Sequence, residues 1–85
     1  MALEEIKFKS TLTNQTYYIK VNENGYLDLY YQGTDSQVPR YDNPSRKAIV
    51  RQALEDLEIN FPSTASVGNL IRRLYQAIRK NNSSK

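Results

Sequence analysis

Three segments in the first third of the chain alternate between apolar and polar side chains. They span residues 6–12, 17–21 and 26–31 and read IKFKSTL, YYIKV and YLDLYY. Alternation with a period of two is typical of β-strands that bury one face of a sheet. We therefore expect three strands, at about residues 5–13, 16–22 and 26–32.

Polar turns separate these segments and predict how the strands are joined. Thr13–Asn14–Gln15 follows the first strand, and Asn22–Glu23–Asn24–Gly25 follows the second. The Asn24–Gly25 pair favours a type I′ turn, because both residue types accept a positive φ. The sequence thus predicts an antiparallel meander. A short edge piece is expected over residues 37–41, since Pro39 is unsuited to the middle of a sheet.

The alternation assigns side chains to the two faces of the sheet. The inner, apolar face is expected to hold Ile6, Phe8, Leu12, Ile19, Val21, Leu27, Leu29 and Tyr31. The outer face is expected to hold Lys7, Lys9, Thr11, Tyr18, Lys20, Tyr26 and Tyr30, with Asp28 in the middle.

From residue 43 onward the spacing of apolar residues becomes helical. Asn43 and Pro44 suit the N-cap and first position of a helix over about 45–59, which Pro62 should end. Its apolar positions are Ile49, Val50, Ala53, Leu54 and Leu57. A second helix is expected over about 64–80, capped by Ser63, Thr64 or Ser66. Its continuous apolar stripe is Val67, Leu70, Ile71, Leu74, Tyr75 and Ile78.

These elements predict an α+β fold, in which a three-stranded antiparallel β-meander is followed by two α-helices packed on one face of the sheet. The helix stripes are the available partners for the inner face of the sheet. A single globular domain is expected over residues 1–80, with a disordered C-terminal tail over 81–85.

Composition argues against several classes of function. The 85 residues contain neither Cys nor His, so thiolate metal sites and histidine acid–base catalysis have no residues to use. The carboxylates form no evident catalytic pair, and no nucleophile has a base partner. We expect a cytoplasmic, non-enzymatic protein without a cofactor, a metal or a membrane association.

The net charge of +3 is unevenly distributed. Residues 1–39 contain three lysines and five acidic residues, a balance of −2. Residues 40–85 contain nine basic and four acidic residues, a balance of +5. A basic half points to a polyanionic partner, although basic surface residues also serve solubility.

Two surfaces are candidates for binding nucleic acid. The first is the outer face of the sheet, with Lys7, Lys9, Lys20, Tyr18, Tyr26 and Tyr30. The second is the polar face of the last helix, with Arg72, Arg73, Arg79 and Lys80, to which the first helix adds Arg46, Lys47 and Arg51. Lysine and arginine neutralise phosphates, and tyrosine stacks on bases. The structural alternatives are that tyrosines favour strands and that cations favour the last turn of a helix.

The run Tyr26–Leu27–Asp28–Leu29–Tyr30–Tyr31, a polar turn and the helix opening Ser45–Arg46–Lys47–Ala48 follow one another. Over residues 16–58 this order resembles the amino-terminal arm-binding domains of tyrosine recombinases, as an architectural analogy. The resemblance implies a sheet that lies in the major groove of DNA. A helix-turn-helix formed by residues 45–59 and 64–80 is a third possibility, with a join longer than usual.

The sequence therefore predicts a small nucleic-acid-binding accessory or regulatory protein, with DNA favoured over RNA as the partner. The alternative is a protein–protein interaction module, such as a phage- or mobile-element-type inhibitor or adaptor, that uses the tyrosine-rich sheet face. Tyrosine is enriched in the cores of protein interfaces.

Overall fold

A computed structural model describes residues 6–32, 36–39 and 44–83 of the chain. Three strands are followed by two helices, which confirms the predicted α+β order. The strands are β1 (Ile6–Lys9), β2 (Thr16–Val21) and β3 (Leu27–Tyr31). The helices are α1 (Arg46–Asp56) and α2 (Val67–Ser83).

The sheet is an antiparallel meander in the order β1-β2-β3. Ile6 lies opposite Ile19, which lies opposite Leu29, and this row is buried. Lys7, Tyr18 and Tyr30 form the adjacent row on the other face. The register therefore keeps the two faces that the alternation predicts.

An aromatic row crosses the inner face. Tyr17 is 1% exposed, and its ring centroid lies 6.0 Å from that of Phe8 and 5.8 Å from that of Tyr31. Both pairs are tilted, within the separation at which aromatic rings attract one another. This row joins all three strands beneath the helices.

Residues 36–38 run along the free edge of β3. The Tyr31 N–H donates to the Ser36 carbonyl at 3.1 Å, and the Val38 N–H donates to the Leu29 carbonyl at 2.9 Å. Val38 is buried beside Leu29 in the core. This is the predicted edge piece as far as Pro39, while Arg40 and Tyr41 fall outside the described residues.

The first turn begins earlier than predicted, and the placement of Leu12 on the inner face is wrong. Buried Ser10 ends the first strand, because its hydroxyl accepts from the N–H groups of Leu12 and Thr13 at 3.1 and 3.3 Å. The chain then turns through Asn14, which has φ 60°. Leu12 is consequently 46% exposed at the turn.

The second turn is not the predicted type I′ turn. The Asn22 N–H donates to the Tyr26 carbonyl at 2.7 Å, which closes a three-residue loop over 23–25. In this loop Gly25 has a positive φ, 86°, whereas Asn24 does not. The Asn22 side-chain oxygen accepts from the N–H groups of Asn24 and Tyr26 and holds the loop from inside.

The boundaries of α1 also differ from prediction. Ser45, rather than Asn43, is the N-cap, since its hydroxyl accepts from the Ala48 N–H at 3.2 Å. Glu58 at φ 58° ends the helix before Pro62. The Ile59 N–H donates to the Leu54 carbonyl and the Glu58 N–H to the Glu55 carbonyl, the two bonds of a Schellman motif.

The observed end of α1 changes the exposure of one predicted core residue and the length of the connection to α2. Leu57, predicted to be buried, is the C-cap of α1 and is 42% exposed. Ten residues, 57–66, separate α1 from α2, which is too long for the three- or four-residue turn of a helix-turn-helix.

Helix α2 packs its apolar stripe against α1, β3 and β1. Leu70, Ile71, Leu74 and Tyr75 are at most 4% exposed, as predicted, and Val67 and Ile78 pack partly buried at the rim. The helix continues to Ser83, so residues 81–83 are helical where the sequence predicts a tail, and residues 84 and 85 of that predicted tail lie outside the described residues. The packed stripe leaves the opposite face of α2 pointing outward.

Candidate nucleic-acid interface

The polar face of α2 collects four of the predicted binding residues. Arg72, Arg73, Arg79 and Lys80 are all exposed, on the side opposite buried Leu70 and Leu74. The sequence of α2, VGNLIRRLYQAIRKNNS, contains no acidic residue. Within the described part of the chain, neither Arg72 nor Arg73 forms an ion pair. Both guanidinium groups are therefore available to an external anion.

Ser66 sets the start of this helix. Its hydroxyl accepts from the Asn69 N–H at 3.3 Å, and its carbonyl accepts from the Leu70 N–H at 3.0 Å. This is the N-cap arrangement that serine favours. Ser66 is one of the three residues that the sequence offers for the cap.

An open groove of about 650 Å³ lies between the start of α2 and the segment before it. It is lined by Pro62, Thr64, Ala65, Ser66, Asn69, Arg72, Arg73 and Gln76. Guanidinium, hydroxyl and amide groups thus converge on one concave surface. These are the side chains that most often contact phosphate oxygens and base edges in nucleic acids.

The wall of the groove formed by residues 62–66 is the feature that sequence reasoning missed. The sequence predicts Thr64 and Ser66 as candidate helix caps and Pro62 as a helix terminator. A proline next to a run of small polar residues, immediately before a basic helix, is the available signal. It does not reveal that this segment folds beside Arg72 and Arg73.

The outer face of the sheet is only partly available. Lys7 and Lys9 are exposed, and Tyr18 and Lys20 are half-buried. Tyr30, predicted to be exposed, is 6% exposed, because Gln37 donates to its hydroxyl at 3.2 Å and the Lys20 ammonium lies 4.7 Å from its ring centroid. The ring is therefore not available to stack on a base.

Tyr26 lies apart from the other predicted tyrosines. It is 69% exposed, at the end of the hairpin loop over residues 23–25. The structure thus separates the three tyrosines by exposure: Tyr26 is open, Tyr18 is half-buried and Tyr30 is buried.

Arg46 does not contribute to an exposed basic surface, contrary to prediction. It is 8% exposed, and its Nη1 lies 2.9 Å from Oδ1 of Asp28. Its Nε and Nη2 also donate to the Val38 carbonyl at 3.2 and 2.9 Å. Asp28, expected on the open face, is buried by the same contact. Lys47 is half-buried on the next position of α1.

A second polar contact joins the first turn to the end of α1. The Thr11 hydroxyl donates to Oδ2 of Asp56, and Gln52 donates to Oδ1 at 3.0 Å. These two hydrogen bonds, of which the one from Thr11 has the larger effect, hold the pKa of Asp56 below its ordinary value of 3.8. The carboxylate is thereby committed to a structural contact, away from the groove.

The described residues contain no group of three or more metal-ligating side chains that could hold an ion. Over the same part of the chain, no helix is both long and apolar enough to cross a bilayer. Comparison of the chain with protein-family models, curated proteins and solved structures gives no match. The groove and the exposed face of α2 are the features of the described residues that point to a function.

Proposed function

We propose that this protein binds nucleic acid through the exposed face of α2, as a small accessory or regulatory protein. The observation that carries the proposal is that Arg72 and Arg73 are both exposed and both line the groove, and neither forms an ion pair within the described part of the chain. Adjacent cations without acidic neighbours repel one another, and a polyanion relieves that repulsion.

The chemistry of the groove favours phosphate as the anion. Guanidinium forms paired hydrogen bonds with phosphate oxygens, in a geometry that an ammonium group cannot match. The hydroxyls of Thr64 and Ser66 lie on the same groove and supply further donors of the type that contacts a nucleic-acid backbone. A free phosphate would use few of these groups, whereas a polymer can use the whole face.

The sheet face is the weaker surface for this purpose. Asp28 and Arg46 are buried there as an ion pair, so the arginine adds no cation to the exposed surface. Lys7 and Lys9 remain exposed at the other end of the sheet. We therefore assign the main binding energy to α2 and a supporting electrostatic role to these two lysines.

Binding of labelled duplex DNA, single-stranded DNA and RNA over a series of salt concentrations tests the proposal. We expect binding of at least one polymer at low salt, with an affinity that falls linearly on a log–log plot. Arg72→Gln/Arg73→Gln should reduce the slope of that plot by about two, one for each lost phosphate contact. Arg72→Gln alone should reduce the slope by about one. Arg51→Gln, which removes one exposed charge from α1, is the control for that single variant and should leave the slope unchanged.

Two outcomes would overturn the proposal. One is the absence of binding to all three polymers at low salt. The other is binding that does not depend on salt, which would favour the alternative of a protein-interaction module. That alternative retains exposed Tyr26 and half-buried Tyr18 as its aromatic contacts.

A further inference from the structure

We infer that α2 lies in the major groove of duplex DNA and that Asn69 and Gln76 read base edges there. This inference rests on the proposed function and names its partner and its mode of recognition. It depends on how the amide and guanidinium side chains are arranged around the exposed face of the helix.

The two amides lie on the central line of that face. An α-helix turns about 100° per residue, so Asn69 and Gln76, seven residues apart, lie within about 20° of each other. Around the helix axis, buried Ile71 and Leu74 each lie about 150° from the line midway between the two amides. Asn69 and Gln76 are both exposed and line the open groove described above, so they face solvent rather than the core.

The two arginines of the groove flank this line. By the same helical geometry, Arg73 lies about 50° to one side of it and Arg72 about 50° to the other. The exposed residues one turn or more further along follow the same division, with Lys80 on the side of Arg73 and Arg79 on the side of Arg72. The face is thus a row of amides between two rows of cations.

This arrangement matches the cross-section of a DNA major groove. Phosphates form the two walls of the groove, and donors and acceptors of the bases form its floor. Flanking guanidinium groups would reach one strand each, while the central amides approach the floor. Asparagine and glutamine pair with the adenine edge through two hydrogen bonds. Asn69 and Gln76 are about 10 Å apart along the helix, the length of about three base pairs.

The same face is poorly suited to the other nucleic acids. Single strands are held mainly by aromatic stacking, and the one aromatic residue of α2, Tyr75, is 4% exposed on the opposite side. The major groove of A-form RNA is too narrow for side chains to read. The 17 residues of α2 form a rod about 25 Å long, which the wider groove of B-form DNA admits.

Selection from a library of randomised duplexes, followed by measured affinities, tests the inference. We expect the wild-type chain to enrich a short preferred sequence and to bind it more tightly than a shuffled duplex. Asn69→Ala/Gln76→Ala should lose about 5- to 150-fold of that preference for each base contact removed. Its affinity for the shuffled duplex and its salt dependence should stay near those of the wild type, because both arginines remain.

Asn24→Ala/Gln32→Ala is the matched control, since it removes an exposed asparagine and an exposed glutamine from the sheet end of the molecule. It should keep the full preference. Base reading by α2 is overturned if the wild type binds duplex DNA without any preferred sequence, if the Asn69/Gln76 variant keeps the preference, or if RNA or single strands bind more tightly. In each of these cases nucleic-acid binding itself still stands, whereas a chain that binds no polymer would overturn both proposals.

Discussion

Arg46 and Asp28 form a buried ion pair that connects the start of α1 to the outer face of the sheet. The two side chains are each 9% exposed, with 2.9 Å between Nη1 and Oδ1. The same guanidinium donates two hydrogen bonds to the Val38 carbonyl. One side chain thus holds together β3, the edge segment over residues 36–38 and α1.

Removal of this arginine should destabilise the fold strongly. Arg46→Met leaves the Asp28 carboxylate buried without its cation, and we expect the free energy of unfolding to fall by about 3–5 kcal/mol. Urea denaturation measures the change. Arg51→Met, which removes an exposed arginine whose guanidinium lies 5.7 Å from the Phe61 ring centroid, should cost about 1 kcal/mol or less.

A double substitution separates the ion pair from simple packing. In Asp28→Asn/Arg46→Met no buried charge is left, so the combined loss should be smaller than the sum of the two single losses. Additive losses, or an Arg46→Met variant as stable as Arg51→Met, would show that the pair contributes little.

The core position of Leu74 gives a second test. Leu74 is 0% exposed at the centre of the α2 stripe, and Leu74→Ala should cost about 2–5 kcal/mol. Leu57→Ala removes the same atoms from a 42% exposed side chain and should cost less than about 1 kcal/mol. An unchanged urea midpoint for Leu74→Ala would contradict the packing of α2 described above.

The left-handed residue that ends α1 offers a stabilising substitution. Glu58 adopts φ 58°, a conformation in which a Cβ atom is strained and glycine is not. We expect Glu58→Gly to raise the free energy of unfolding by up to about 1 kcal/mol. Glu55→Gly, within α1, should lower it by about 1 kcal/mol. Equal effects of the two substitutions would rule out the Schellman motif as the end of this helix.

The contact between Thr11 and Asp56 predicts a dependence on acid. Because hydrogen bonds lower the pKa of Asp56 in the folded state, its contribution to stability is present above the ordinary value of 3.8 and is lost as the pH falls through the folded pKa. Thr11→Val should therefore be less stable than the wild type at neutral pH, and the difference should shrink below pH 3.8. Denaturation curves across this range measure it, and a difference that does not vary with pH would contradict the contact.

The parts of the fold that local periodicity encodes could be predicted from the sequence. The alternation of Ile19 and Leu29 with polar neighbours places the inner face correctly, and helical spacing identifies Leu70 and Leu74 as core. Both patterns predict burial correctly because each strand and each helix buries one continuous face.

Burial that depends on distant residues could not be predicted. Tyr30 and Asp28 lie at the alternate strand positions that the sequence pattern assigns to the exposed face. In the structure they are covered by Gln37 and Arg46, which come later in the chain. Nothing local distinguishes Arg46 from an exposed arginine at the start of a helix. Its burial depends on where α1 is placed against the edge of β3.

The predicted ends of strands and helices are wrong where other residue types take the place of the usual turn and cap residues. Ser10 ends β1 through its hydroxyl, and Glu58 takes the left-handed position that glycine usually fills after a helix. For the candidate site, the exposure of Arg72 and Arg73 follows from the stripe on the opposite face. The groove beside them depends on residues 62–66, for which no periodicity exists.

The central claim is that α2, rather than the sheet, provides the nucleic-acid-binding surface. Its most direct test is the affinity of two charge-reversed variants for one duplex at one low salt concentration, with circular dichroism and urea midpoints confirming that each is folded. We predict that Arg72→Glu/Arg73→Glu weakens binding more than Lys7→Glu/Lys9→Glu, although both reverse two exposed positive charges. A larger loss for the lysine pair, or no loss for either pair, would contradict the account.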